Sequence, residues 1–217
     1  MQTVRFAVAF ALALAVVACQ SAYYSAMEKL GYEKRDILVS RVDKAREAQQ
    51  DAKQQFQDAL QQFIAVTNYS GGELEQQYNK LKDEYDASES RAKAVRRRVD
   101  DVEQVAQDLF NEWNNELKQY DNRDLRRESQ RQLEATRARY QKLIAAMRRA
   151  EKKLDPVLAA FHDRVLFLKH NLNARAVASL REERAKIEAD IGVLVADMNR
   201  AIGEADAFIR EMTPAKR

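Results

Sequence analysis

The sequence predicts an all-α fold, an elongated antiparallel helical bundle of about four long, coiled-coil-like helices, and three observations predict it. Breakers are scarce, with 5 glycines and 2 prolines in 217 residues. Apolar residues recur at alternating spacings of four and three over long stretches, the seam of a coiled coil. Nowhere does a two-residue alternation compete, and the turn residues that a β-sandwich or a Rossmann-type sheet requires are missing. A disordered chain is excluded as well: 46 % of the residues are hydrophobic, and 37 Lys+Arg stand against 34 Asp+Glu, so apolar residues are plentiful and net charge is small.

The first 18 residues read as a targeting segment, a lipoprotein signal peptide. Arg5 provides the positive start, and an apolar run extends from Phe6 to Ala18. That run is too short to span a bilayer, which takes about 20 apolar residues. Val16-Val17-Ala18-Cys19 looks like a bacterial lipobox, in which the peptide is cut before a cysteine that then carries a diacylglyceryl group. Cys19 is the single cysteine, so no intrachain disulfide or CxxC site exists. Resemblance to lipoproteins of diderm bacteria implies that Gln20, where Asp would retain the product at the inner membrane, favours the periplasmic face of the outer membrane. Residues 19–33 then form an anchored N-terminal segment, 34–212 a single bundle domain and 213–217 a tail.

The first long stretch runs to about Asn68 with the seam Leu38, Val42, Ala45, Gln49, Ala52, Phe56, Ala59, Phe63 and Val66. Ser70-Gly71-Gly72-Glu73 predicts a reversal followed by a Ser-x-x-Glu capping box. A second stretch continues through Leu74, Tyr78, Leu81, Tyr85, Ser88, Ala92, Val95, Val99, Val102, Ala106, Leu109 and Trp113. The pattern lapses at Asp121-Asn122-Arg123-Asp124, where Asx residues suit a turn and an N-cap. It resumes at Leu133, Thr136, Tyr140, Leu143, Met147, Ala150, Leu154, Val157 and Phe161 and reaches Leu168 and Leu172, with a slip near Arg164. Because the phase holds across Pro156, the proline reads as a kink; Asp155 as N-cap with Pro156 opening a new helix is the competing reading. A fourth stretch carries Leu180, Arg184, Ile187, Ile191, Leu194, Met198, Ala201, Ala205, Phe208 and Met212. Its start is expected in a turn from His170 to Asn173, with Ser179-Leu180-Arg181-Glu182 as a later capping-box candidate. Segments of about 40 to 50 residues, each ~60 to 75 Å long, joined by short turns favour antiparallel neighbours.

Several chemistries lack their residues. The paired glycines Gly71-Gly72 are followed by Glu73, so no P-loop exists. Neither His162 nor His170 has a glutamate three residues before it, which removes the di-iron use of a four-helix bundle. No nucleophile, base and orienting acid stand out, so the expectation is a protein without enzymatic activity, cofactor or metal. The nearly balanced charge gives no argument for nucleic acid. Runs such as Arg96-Arg97-Arg98 and Arg148-Arg149 read as solvated faces.

The segment from Pro156 to Arg175 stands apart, with both histidines, the proline and the four consecutive apolar residues Val165 to Leu168. It is either a packed corner of the bundle or a docking surface. The candidate interaction residues are Phe161, His162, Leu166, Phe167, Lys169, His170, Asn171, Asn173 and Arg175.

Lys34 to Val39, Asp108 to Trp113 and Pro156 to Arg175 also resemble an uncharacterised bacterial domain-of-unknown-function family of predicted α-helical lipoproteins. The resemblance covers nearly all of the chain after the signal peptide. It implies an envelope location and a helical fold, and brings no catalytic or binding residues. Some relatives carry names suggesting DNA repair, which the missing P-loop, the secretory start and the balanced charge oppose. The expected function is that of a lipid-anchored periplasmic envelope protein with a structural or adaptor role, meeting an envelope protein or a cell-wall partner. A tethered holdase is the alternative, and acidic lipid or lipopolysaccharide binding by the arginine clusters a weaker one. Contact with the membrane is expected through the N-terminal lipid, without nucleic acid, and such a rod is open to homo-oligomerisation.

Overall fold

The computed structural model describes residues 33–69, 71 and 73–213. The signal segment, Cys19, Gln20, most of the segment 19–33, Ser70, Gly72 and the tail 214–217 lie outside the described residues. The described residues form five α-helices, α1 (Lys34–Thr67), α2 (Leu74–Glu116), α3 (Arg123–His170), α4 (Ala174–Glu182) and α5 (Arg184–Met212), with a 3-10 turn at Leu117–Gln119 after α2. No strand occurs among the described residues.

Side chains that join the helices fix their order and direction. Between α1 and α2, Lys34 meets Glu112 (2.6 Å), Arg91 meets Asp51 (3.1 Å) and Gln62 Nε2 donates to Gln77 Oε1 (3.0 Å). As one residue number rises the other falls, so the pair is antiparallel. The same crossing links α1 to α5 through Arg46 and Asp206 (3.0 Å) and through Lys53 and Asn199 (3.1 Å). Arg148 joins α3 to Asp100 and Glu103 of α2, and Arg139 and Arg164 of α3 pair with Glu211 and Glu183 at the two ends of α5. The long helices therefore run up, down, up and down around one core, in the ring α1–α2–α3–α5. At 48 residues α3 is ~72 Å long.

Every position of the α1 seam is buried, from Leu38 to Val66. Alanines at 45, 52, 59, 92, 106, 150, 201 and 205 are all inside, which lets helix axes approach closely, while Phe56, Phe63, Met147 and Leu154 supply the bulk between them. Leu74, Tyr78, Tyr85 and Trp113 on α2 pack against this core only half-buried. Pro156 lies within a continuous α3, exposed and flanked by buried Leu154 and Val157, so the helix does not restart there.

Capping explains two of the boundaries. Asn122 Oδ1 accepts from the backbone N–H of Asp124 (2.9 Å) and of Leu125 (3.1 Å), opening α3 at the expected Asx turn. Asn173 Oδ1 accepts from Ala176 N–H (3.0 Å) and opens α4. The expected capping box falls on Ser70, outside the described residues; the N-cap of α2 is Glu73, without a side-chain hydrogen bond, and the helix starts at Leu74. One break was not expected at its place. The last stretch divides at Glu183 into α4 and α5, and Ser179 sits inside α4, where its hydroxyl donates to Arg175 O (3.2 Å). The short α4 buries Ala176, Val177 and Leu180, and Arg181 Nε reaches Thr67 O (2.9 Å) at the end of α1. In this way α4 closes the bundle end.

The charged runs are only partly solvated faces. Arg148 is held by Glu103 (2.5 Å), Asp100 (2.7 Å) and Glu151 (2.6 Å), and hydrogen bonding to Glu103 is the main cause that raises its already high pKa. Arg96 pairs with Asp155 across the same groove. Arg97 and Arg149 are exposed, as expected.

Candidate functional site

The C-terminal third of α3 and the turn after it decide where a partner could dock. Leu154, Val157, Leu158, Phe161, Val165 and Leu168 face the core, so the slip near Arg164 is a one-residue shift of the seam onto Val165. Phe161 is 2 % exposed, and its ring lies 6.0 Å from that of Phe63 on α1. It is a packing residue and does not share a surface with its neighbours in sequence. The four-residue apolar run splits instead: Val165 and Leu168 turn inward, while Leu166 and Phe167 are 46 % and 41 % exposed.

The remaining candidates divide in the same way. His162 is exposed, with its ring 5.5 Å from that of Tyr85 on α2. Lys169 and His170 are exposed in the last turn of α3, where the ammonium of Lys169 complements the carbonyl end of the helix. Asn171 is half-buried and donates from Nδ2 to Phe167 O (2.8 Å), so it caps α3; Asn173 caps α4. Arg175 is exposed. The structure thus brings Leu166, Phe167, Lys169, His170 and Arg175 to one end of the bundle and assigns Asn171 and Asn173 to holding the turn. Leu172, placed on the seam by its spacing, lies past the helix end and is 41 % exposed. It adds apolar area that periodicity alone hides.

Beside this patch is an open cleft of about 730 Å³ lined by Asp163, Arg164, Phe167, Leu180, Glu183 and Lys186. Arg164 bridges its floor, donating from Nη1 to Ala160 O (2.5 Å) and pairing through Nη2 with Glu183. A second cleft, about 550 Å³, lies at the opposite end, where α1 begins; Lys34, Arg35, Leu109, Glu112 and Trp113 line it. Nothing in the sequence pattern marked this second cleft, because its walls come from three helices. Near it Phe110 and Tyr140 meet edge to face at 5.4 Å, with the Arg137 guanidinium 5.2 Å from the Phe110 centroid. Burial, helped by the negative charge of Glu103, pushes the Tyr140 phenol up to about 12.

Among the described residues the large hydrophobic side chains left exposed are Tyr120, Leu125, Leu166, Phe167, Leu172 and Val193. Only Val193 sits on the flank; the first two mark the α2–α3 turn at one end and the next three the α3–α4 turn at the other. No group of three or more His, Cys, Asp or Glu residues among the described residues is arranged to hold a metal ion. No helix among them is long and apolar enough to cross a membrane.

A family model described as a protein of unknown function, DUF2959, matches residues 23–212. No curated protein matches the chain, and no solved structure does.

Proposed function

The chain belongs to the DUF2959 family of proteins of unknown function, and on that premise we propose that it is a lipid-anchored periplasmic protein with an adaptor role. In this reading Cys19 carries the lipid, on the periplasmic face of the outer membrane, and the bundle meets an envelope protein or a cell-wall partner at its far end. The observation that carries the adaptor reading is the distribution of exposed apolar side chains. They gather at the ends of a rod ~72 Å long whose flanks are laced by ion pairs such as Arg148 with Asp100 and Glu103. A bridging protein needs contact surfaces at its ends. A holdase that clasps unfolded chains along its length needs apolar surface on the flank, where Val193 stands alone among the described residues. Acidic-lipid binding draws less support, since Arg148 and Arg96 are already engaged by carboxylates. The protein acts without catalysis, cofactor or metal.

The test is in cells. Metabolic labelling with palmitate marks the wild type and not Cys19→Ser, and the variant leaves the membrane fraction or stays unprocessed. Unlabelled wild type, or unchanged processing and retention of the variant, overturns the anchor. A photo-crosslinker at Phe167 captures a defined envelope protein or peptidoglycan fragment, whereas one at Val193 does not; equal capture from both positions overturns the end-contact reading.

A further inference from the structure

At the end where α1 begins, the described helices stop at different levels. Lys34, the first residue of α1, is level with Glu112 (2.6 Å), and Glu211 near the end of α5 is level with Arg139. Beyond those levels α2 continues to Glu116 and the turn Leu117–Gln119, and α3 begins at Arg123. The α2–α3 hairpin, held by Trp113 Nε1 donating to Ser129 Oγ (2.8 Å), therefore overhangs the other two helices by ~10 Å along α2 and ~24 Å along α3 at 1.5 Å per residue. The cleft of about 550 Å³ lies under this overhang, with Leu109 and the half-buried Trp113 in its wall.

We propose that the occupant of this cleft is the chain's own segment Tyr23 to Tyr32. Five observations favour it over another partner. The family match starts at residue 23, so ten residues of the matched domain precede Glu33. The segment must start at the cleft, because Glu33 itself lines it. Glu33 is extended (φ −76°, ψ 151°), so the chain leaves the axis of α1 at that point and is free to turn under the hairpin. Ten residues cover ~15 Å as a helix and ~33 Å when extended, enough to pass the ~10 Å overhang of α2 and bracketing the ~24 Å overhang of α3. The composition suits an apolar wall: Tyr23, Met27 and Leu30 stand at four-and-three spacing, with Tyr24 and Tyr32 beside them. The proposal does not depend on lipidation of Cys19.

Trp113 is the single tryptophan of the chain and reports directly on the cleft. In the purified, processed protein the double substitution Met27→Glu/Leu30→Glu shifts Trp113 emission to the red and raises its quenching by acrylamide, while the helical circular dichroism of the bundle persists. Unchanged emission and quenching overturn the proposal. A photo-crosslinker replacing Met27 provides an independent reading that does not rely on the double variant folding. At concentrations where sedimentation shows a monomer, it joins intrachain to the peptide that carries Trp113. Crosslinks formed only between chains assign the cleft to a second copy, and crosslinks elsewhere in the chain remove the segment from it; either result overturns the proposal.

Discussion

Phe161 and Phe167 lie on one helix fewer than two turns apart, and the structure assigns them opposite roles, so truncating each to alanine separates packing from docking. Phe161 is 2 % exposed and sits 6.0 Å from Phe63. Removing it deletes a filled core position, and the cavity adds to the lost transfer energy, for a cost of ~3 to 5 kcal/mol. Phe167 is 41 % exposed. With roughly three-fifths of the side chain covered, and full burial contributing up to ~3 kcal/mol, Phe167→Ala costs ~1 to 2 kcal/mol. For a domain of this size each kcal/mol moves Tm by ~2 to 4 °C, so Phe161→Ala lowers it by ~6 to 20 °C and Phe167→Ala by ~2 to 8 °C. Lys169→Glu, on an exposed side chain, changes it by less than either. Thermal melts of the three purified variants followed at 222 nm measure this order. The photo-crosslinking yield at neighbouring Leu166 is then read for the two α3-end variants, both of which remain folded. The docking assignment expects Phe167→Ala and Lys169→Glu to lower that yield. A Phe167→Ala melt as damaged as that of Phe161→Ala refutes it, because the patch is then core.

Two further substitutions probe the interior. Gln49 occupies a seam position of α1 at 0 % exposure, and neither of its amide atoms has a hydrogen-bond partner among the described residues; Gln49→Met removes that desolvation cost and raises stability by ~1 to 3 kcal/mol, read as a higher urea midpoint at unchanged m-value, and a lower midpoint rejects it. Tyr140 binds its proton more tightly when folded, up to about 12 against an ordinary 10. Between those values the unfolded chain has lost a proton that the folded chain keeps, so stability is full below pH 10 and falls by at most ~1.4 kcal/mol per pH unit up to about pH 12. Tyr140→Phe removes this part of the alkaline loss, and denaturant titrations of both proteins across that window check it; parallel curves reject the assignment.

Most of the fold was legible because a coiled-coil seam repeats one physical demand, burial of one stripe, many times over. Leu38 to Val66 and Ile187 to Met212 obey it, and the Asx signals at Asn122 and Asn173 place two of the turns through side-chain caps. The reading failed where the signal was a single local motif. Ser70-x-x-Glu73 has the residues of a capping box, yet α2 starts only at Leu74. The break at Glu183 has no proline, glycine or Asx residue to announce it; what marks it is tertiary, the pairing of Arg164 with Glu183 and the reach of Arg181 to Thr67 O.

The candidate surface was half legible for a related reason. Four consecutive apolar residues, Val165 to Leu168, exceed what one seam can bury, so some had to face outward, and the structure selects Leu166 and Phe167. Periodicity names the stripe but not the point where the neighbouring helices stop, and it therefore kept Leu172 on the seam after the helix had ended. The same blindness hid the opposite cleft. Trp113 continues the α2 seam past buried Leu109, but among the described residues α1 begins only at the level of Glu112, so the end of the seam outlasts the described helix that covers the rest. An uncovered length of seam next to the entry of the chain is the condition that makes residues 23–32 the natural cover. It also makes Trp113, rather than any residue of the α3 end, the side chain whose environment reports on the order of the N-terminal segment.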